Sequence, residues 1–296
     1  MRPQQNELRL RVLGSACHIS LGGDIAGSDE LLALAKTELQ RLEFKFDAFY
    51  SKSIVGQINS GAGKADLISL DGEARSLFEF THALWEQSNH QFDPTVAIIG
   101  NARSLSSKGA GSLANKLAMV GWSRLQLSPQ GVRLPTKGML INLNSCVRPY
   151  AVDSVRRIFA KEGVKSAMIS LDHDVATIGR QHDGANWLVG IKHPKGSGAA
   201  ITRVKLNNKG YSVRGDFEHC QIIDKERFGS ALSPVDGRPI PGLVSVGVMA
   251  DTCLAACGAA SIAHIKTEQA GLRWLAQLGL PWVAVDKNLQ CHGLLG

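Results

Sequence analysis

The sequence has no run of Lys or Arg longer than two residues, no CxxC pair and few aromatics (6%). It also has no uncharged apolar run long enough to cross a bilayer. Each absence excludes something. Nucleic-acid binding usually shows a basic stripe or stacking aromatics, so none is expected here. The net charge of +7 (33 Lys+Arg against 26 Asp+Glu) points to small anionic ligands, phosphorylated ones included. The six cysteines (Cys17, Cys146, Cys220, Cys253, Cys257, Cys291) are scattered among apolar neighbours and read as reduced, buried thiols. Cys253 and Cys257 stand one helical turn apart. A shared metal is one reading, but Leu254, Ala255 and Ala256 between them favour the core. The opening MRPQQNELRLRVLG has no apolar segment of the secretory kind, so the chain is expected in the cytoplasm, or in the periplasm if a leader was removed. No membrane span is expected.

With 44% hydrophobic and 20% charged residues, the 296-residue chain is expected to fold around a substantial core. Glu7–Leu21 alternates as a strand interrupted at Gly14-Ser15. Ser28 is expected to cap a helix from about Asp29 to Asp47, with apolar positions Leu31, Leu32, Leu34, Ala35, Leu39, Leu42 and Phe46. Residues 51–63 read as a polar loop. A second long helix runs over Leu70–Asn89 behind the cap Asp71, and ends in the rigid corner Phe92-Asp93-Pro94-Thr95-Val96. Residues 101–118 are small and polar, an excursion with a short helix. Leu125–Leu127 and Val132–Leu134 form a hairpin.

The segment Ile141–Asp153 reads as an apolar strand, a turn, and a helix entered at Tyr150 and stopped by Gly163. Such a corner with a cation, Arg148, at the junction is one way to hold phosphate. The alternative is a plain strand–helix corner with a solvated Arg148. Strand-like segments follow at Ala167–Leu171, Val175–Ile178, Trp187–Ile191, Ile201–Leu206, Gly210–Arg214 and Cys220–Ile223. Asp172-His173-Asp174 is a tight turn, read as a solvated tip or as a metal site. A buried strand at Leu243–Ala250 leads to a helix capped by Asp251. A final helix, Glu268–Leu278, closes at Gly279 before a strand from Pro281 to Val285. The element order indicates an α+β fold, with no internal repeat or linker.

Several of these segments, in order from Leu8 to Val285, resemble the ApbE family of flavin transferases, which move FMN from FAD to a protein hydroxyl. Phe92-Asp93-Pro94-Thr95-Val96 is similar to the family's FDPTV. Ser53 to Asn59 resembles its serine-to-asparagine loop, with Ile54 in place of an acidic residue. Leu143 to Asp153 resembles DLGGIAKGYAVD, with Arg148 for the lysine and Pro149 for the glycine. Trp187–Ile191 with Pro194 resembles WVGIxxP, and Gly237, Pro239 and Ala250-Asp251 resemble its DPRTGxP and AD segments.

The departures fall among the family's chemical motifs. LGGD is Leu171-Asp172-His173-Asp174 here, TSG is Val213-Arg214-Gly215, and HIIDP is Ser230-Ala231-Leu232-Ser233-Pro234. The threonine four residues beyond the AD aspartate, a metal ligand in the family, is Ala255.

The resemblance implies an ApbE-like (T-fold-like) architecture of mixed antiparallel sheets packed with long helices. It implies one domain, two-lobed, with a flavin cleft between the lobes. It implies FAD as ligand, Mg²⁺ as metal and a flavoprotein acceptor of FMN. Ser53, Asn59, Asp93, Arg148, Tyr150, Asp153 and Arg214 become the expected cofactor-binding residues and Asp251 the expected metal ligand, with no catalytic residue assigned. Arg148 and Arg214 are the candidates to offset lost metal charge. The alternatives are a catalytically silent binding or interaction module, and a pocket taking another nucleotide.

Overall fold

The computed structural model describes residues 6–23, 25–99, 110–192, 200–215, 221–223, 226–228 and 231–293. Its frame is an antiparallel sheet of eight strands, which lie side by side in the order in which the chain makes them. They are β1 (Glu7–Val12), β2 (Ser15–Leu21), β3 (Ala167–Leu171), β4 (Asp174–Ile178), β5 (Gly210–Gly215), β6 (Ser245–Ala250), β7 (Trp282–Val285) and β8 (Cys291–Gly293). The first segment is a hairpin and not one interrupted strand. Val12 pairs with Ser15 across Leu13 and Gly14, which sit at φ 52° and 73°. A two-residue loop with both φ positive matches the twist of the strands it joins. In β2 every second residue (Ser15, Cys17, Ile19, Leu21) is buried, the period of a half-covered strand.

Among the described residues five α-helices fall between β2 and β3. α1 (Ser28–Phe46) and α3 (Gly72–Gln87) follow their apolar spacing, and Asp71 caps α3 by accepting from Ala74 N at 2.9 Å. Ser28 does not cap α1. Gly27 in the left-handed region does, and the Ser28 hydroxyl is buried without a partner among the described residues. The expected polar loop at 51–63 contains α2 (Ile54–Ser60), because Ser53 accepts from Gly56 N and starts a turn that buries Val55 and Ile58. α4 spans Ala110–Leu117; the preceding residues 100–109 lie outside the described residues.

α5 runs from Asn144 to Lys161, six residues earlier than expected, and Ile141–Leu143 form no strand. Pro149 is inside the helix. It has no N–H to give to the carbonyl four residues back, so Ser145 C=O is released from the helical ladder. α6 (Cys253–His264) and α7 (Glu268–Gln277) connect β6 to β7. The cap of α6 is Thr252, not Asp251: its Oγ1 accepts from Ala255 N at 3.2 Å.

α5 packs against α1, α6 and β4, and Phe46, Phe78, Val152, Phe159, Ile19 and Ile169 close the core between helices and sheet. Each such side chain contributes about 1.5–3 kcal/mol on burial. Three hairpins (Gln126–Ser128 with Gly131–Arg133, Trp187–Lys192 with Ala200–Leu206, Gln221–Ile223 with Glu226–Phe228) stand beside the main sheet. Pro194, Cys220 and Ser230 lie outside the described residues. Among the described residues no helix is long and apolar enough to cross a membrane.

Candidate functional site

Three segments far apart in sequence meet at a cleft of about 460 Å³. Phe92-Asp93-Pro94 follows α3, Asn142 to Ser145 opens α5, and Ser261 with His264 lies on α6; Arg214 from β5 joins them. The first two segments are tied together by Asn142 N, which donates to Pro94 O at 3.3 Å. Asp93 fixes the corner. Its Oδ1 accepts from Thr95 N (2.8 Å) and Thr95 Oγ1 (2.5 Å), and its Oδ2 accepts from Trp122 N (2.8 Å). The carboxylate is buried and carries three bonds, so it holds the wall in place and is spent in doing so.

Arg214 is the cation of the cleft. On β5, Ser212 and Arg214 are two residues apart and share a face, and Ser212 pairs with Asp174 across the sheet. Ser212 Oγ donates to Asp174 Oδ1 at 2.6 Å, and Arg214 Nη1 donates to the same oxygen at 3.1 Å. Asp174 is therefore not a solvated tip: only 2% of its side chain is exposed, against 20% for Arg214. Nη1 also reaches Val213 O at 2.8 Å, while Nη2 reaches Asp174 Oδ2 (3.4 Å), Cys257 Sγ (2.7 Å) and the released Ser145 carbonyl (3.3 Å). Burial opposes the guanidinium charge, but the Asp174 carboxylate outweighs it and holds the Arg214 pKa above that of a free guanidinium. Cys257 Sγ touches the same Ser145 carbonyl at 3.2 Å; burial pushes its thiol pKa up, although Arg214 pulls the other way.

The remaining expected residues are placed elsewhere. Ser53 caps α2 and donates to Asp47 O at 2.5 Å. Asn59 donates to Ala48 O and Ile141 O (3.0 Å each) and accepts from Ile141 N (2.9 Å), so its amide clamps α2 to the chain entering α5. Tyr150 donates to Glu73 Oε1 at 2.8 Å. Asp153 accepts from Cys253 N and Leu254 N, 2.9 Å each, and bolts α5 to the start of α6. Arg148 donates to Leu13 O and Asp172 Oδ2, 3.2 Å each, and lines a different, larger cavity of about 990 Å³ with Arg9, Arg11, His18 and His173. Of the seven expected cofactor-binding residues, Asp93 and Arg214 are the two that line the cleft.

The magnesium implied by the resemblance does not fit the residues present. The Asp251 side chain is 90% exposed and paired with Lys209 Nζ at 2.6 Å, away from the cleft. Ala255, the position of its expected partner, is exposed and has no oxygen to offer. A pair on α6 with the same spacing is Cys257 and Ser261, 3.8 Å apart: Ser261 lines the cleft, and Cys257 is buried against Arg214 and the Ser145 carbonyl. A neutral thiol and a hydroxyl are a poor set for a hard cation. Among the described residues no three His, Cys, Asp or Glu side chains gather as a metal would need. Asp174 and Cys257 were weighed in the sequence only as members of metal sites with His173 and with Cys253, not as partners of Arg214, and Ser261 was not singled out; the four-residue spacing of Cys257 and Ser261 on an apolar helix was the available signal.

A model of the ApbE family matches residues 13–283. Curated relatives include the FAD:protein FMN transferases of Klebsiella pneumoniae (28% identical over 155 residues) and Escherichia coli K12 (30% over 120 residues). The matched stretches cover 50% and 40% of this chain, and 44% and 34% of the relatives, so the chain spans less than half the length of these relatives. Among solved structures, the ApbE protein of Thermotoga maritima superposes with a TM-score of 0.84 at 21% identity. Flavin transferase ApbE from Vibrio cholerae superposes with a TM-score of 0.83 at 17% identity. Each superposition covers 97% of this chain and 96% of the other. At these identities the likeness is one of fold.

Proposed function

The chain belongs to the ApbE family, and from that membership we propose that it binds FAD in the cleft and transfers FMN to a Thr or Ser hydroxyl of a partner flavoprotein. The observation that carries the reading is convergence. The Phe92–Pro94 corner and the start of α5, read as separate family segments, fold onto one cleft together with Arg214 of the altered TSG segment, beside Ser261 and His264 of α6. In this reading the chain is one unit with the flavin between its two lobes. The acceptor hydroxyl oxygen attacks the flavin-side phosphorus of the diphosphate, the P–O bond to the AMP half breaks, and the hydroxyl proton leaves with AMP or to solvent. Asp93 holds the wall, Arg214 supplies positive charge, and Ser53, Asn59, Tyr150 and Asp153 hold the elements that form the cleft. Asp251, turned outward to Lys209, has no part in this step. Catalysis then rests on positioning and charge neutralisation.

The test is FAD binding by fluorescence quenching, followed by incubation with FAD and a flavoprotein acceptor, reading flavin fluorescence on the denatured acceptor band. Binding plus a fluorescent acceptor is expected; absence of FAD binding would refute the reading. A second reading, a silent flavin-binding module, is favoured by one observation: the expected metal ligand Asp251 is exposed and paired with Lys209, and its expected partner position is Ala255. FAD binding with no labelling of any acceptor would select it.

A further inference from the structure

We infer that Arg214 is the resident cation of the cleft and that phosphate binds there without a divalent metal. The inference deepens the flavin-binding reading and rests on it for the identity of the ligand, though not for the phosphate site itself. Four observations support it. The guanidinium is surrounded by the kinds of donor that would surround a cation: both Asp174 oxygens, the Val213 and Ser145 carbonyls and the Cys257 sulfur. One of these, the Ser145 carbonyl, is available because Pro149 cannot bond it in the helix. The α6 side chain against the guanidinium is Cys257, and α6 carries no Asp or Glu along its length, so no carboxylate from that helix competes to recruit a metal. The acidic residue at the start of α6, Asp251, is engaged outside with Lys209.

A fixed guanidinium differs from a bound magnesium ion in what it asks of its surroundings. Magnesium needs several oxygens in octahedral array and exchanges with solvent. The arginine is covalently attached, permanently charged and pre-aimed by Asp174, so its charge is present in the empty cleft. Its Nε–H has no acceptor among the described residues, and 20% of its side chain remains open. A phosphate oxygen would bind at the open part of this side chain, beside Asn144 and Ser261 in the lining.

The probe is inorganic pyrophosphate, measured by isothermal titration in magnesium and in excess EDTA, with FAD titrated in parallel. Equal pyrophosphate affinity in the two buffers is expected, with a loss of roughly tenfold or more in Arg214→Gln and retention within a few-fold in Arg214→Lys. A gain of tenfold or more on adding magnesium would overturn the inference, as would undiminished binding by a folded Arg214→Gln or no pyrophosphate binding by the wild type. Should Arg214→Gln fail to fold, because Asp174 is left buried and unpaired, the wild-type comparison of magnesium against EDTA decides alone. Pyrophosphate binding without FAD binding would sink the flavin reading and leave this one standing.

Discussion

Replacing Asp153 with alanine separates a ligand contact from a structural bolt. The resemblance makes Asp153 a flavin-site residue, whereas its two oxygens are bonded to Cys253 N and Leu254 N at the start of α6. The magnitude follows from those bonds. A hydrogen bond to a charged group is worth about 1.5–3 kcal/mol, and losing a helix cap costs about 0.5–2 kcal/mol. Working against this, burial pushes the Asp153 pKa up, although the two backbone N–H groups pull it down. The ionised carboxylate is therefore held at some expense, which alanine recovers. The net expectation is a loss of about 2–3 kcal/mol, or about 3–5 °C in melting temperature for a chain of this size. Asp153→Asn keeps one acceptor but sets its NH2 against the other backbone N–H, so it should lose less than Asp153→Ala while still falling about 1–2 kcal/mol below wild type. Thermal melts of both variants, with FAD titrations on the folded fraction, make the assay. If Asp153→Ala melts with the wild type and loses FAD affinity instead, the carboxylate serves the ligand and the reasoning fails.

Two further outcomes are expected from local geometry. Glu73 is bonded to Arg41, Lys45 and Tyr150. These bonds, the Arg41 pair first, hold its pKa down to about 2 against the opposing effect of burial. A depressed carboxylate stabilises the fold above its unfolded pKa of about 4.5 and loses that contribution as pH falls towards 2. After discounting for solvent screening this amounts to about 1–2 kcal/mol. Urea melts between pH 5 and 2.5 should show a shallower acid loss in Glu73→Gln than in wild type; parallel curves would count against it. A Cβ added at Gly210 would lie 2.2 Å from Cys253 N and 2.3 Å from Thr252 C, where α6 begins on β5. Gly210→Ala should therefore cost about 2–4 kcal/mol by denaturant unfolding, while Gly72→Ala, with nothing within 4 Å, should be neutral or stabilising.

The parts legible in the sequence were those whose signal is local. The apolar spacing of α1 and α3, the Asp71 cap and the self-bonded Asp93 corner depend on residues a few positions apart. The misread elements each turned on a residue that has two roles. Pro149 usually marks a boundary, and here it sits inside a helix whose tertiary packing outweighs one lost bond. The serines and glycines of 51–63 suggested a loop, while Val55 and Ile58 carried the helix. In the site, Arg214 was identifiable as a cation on a strand. Its partner Asp174 was not, because the pairing runs between strands whose register the sequence does not state. The bonds from Asp153 to the first N–H groups of α6 join residues a hundred positions apart and have no local trace.

The order of the sheet has a consequence for how freely this molecule can vary. Neighbouring strands in space are also successive strands along the chain, so each long connection leaves one strand and returns to the position beside it. Residues 22–166 join β2 to β3, 179–209 join β4 to β5, 216–244 join β5 to β6, and 251–281 join β6 to β7. Doubling the length of such a connection costs only about 0.6 kcal/mol of loop-closure entropy. It leaves the register of the strands on either side unchanged. The cleft is built largely from these excursions, with Arg214 as the contribution of the frame. Insertions, deletions and exchanged segments in the excursions can therefore reshape what enters the cleft at little thermodynamic cost, whereas the cation on β5 is fixed by the pairing of β4 with β5.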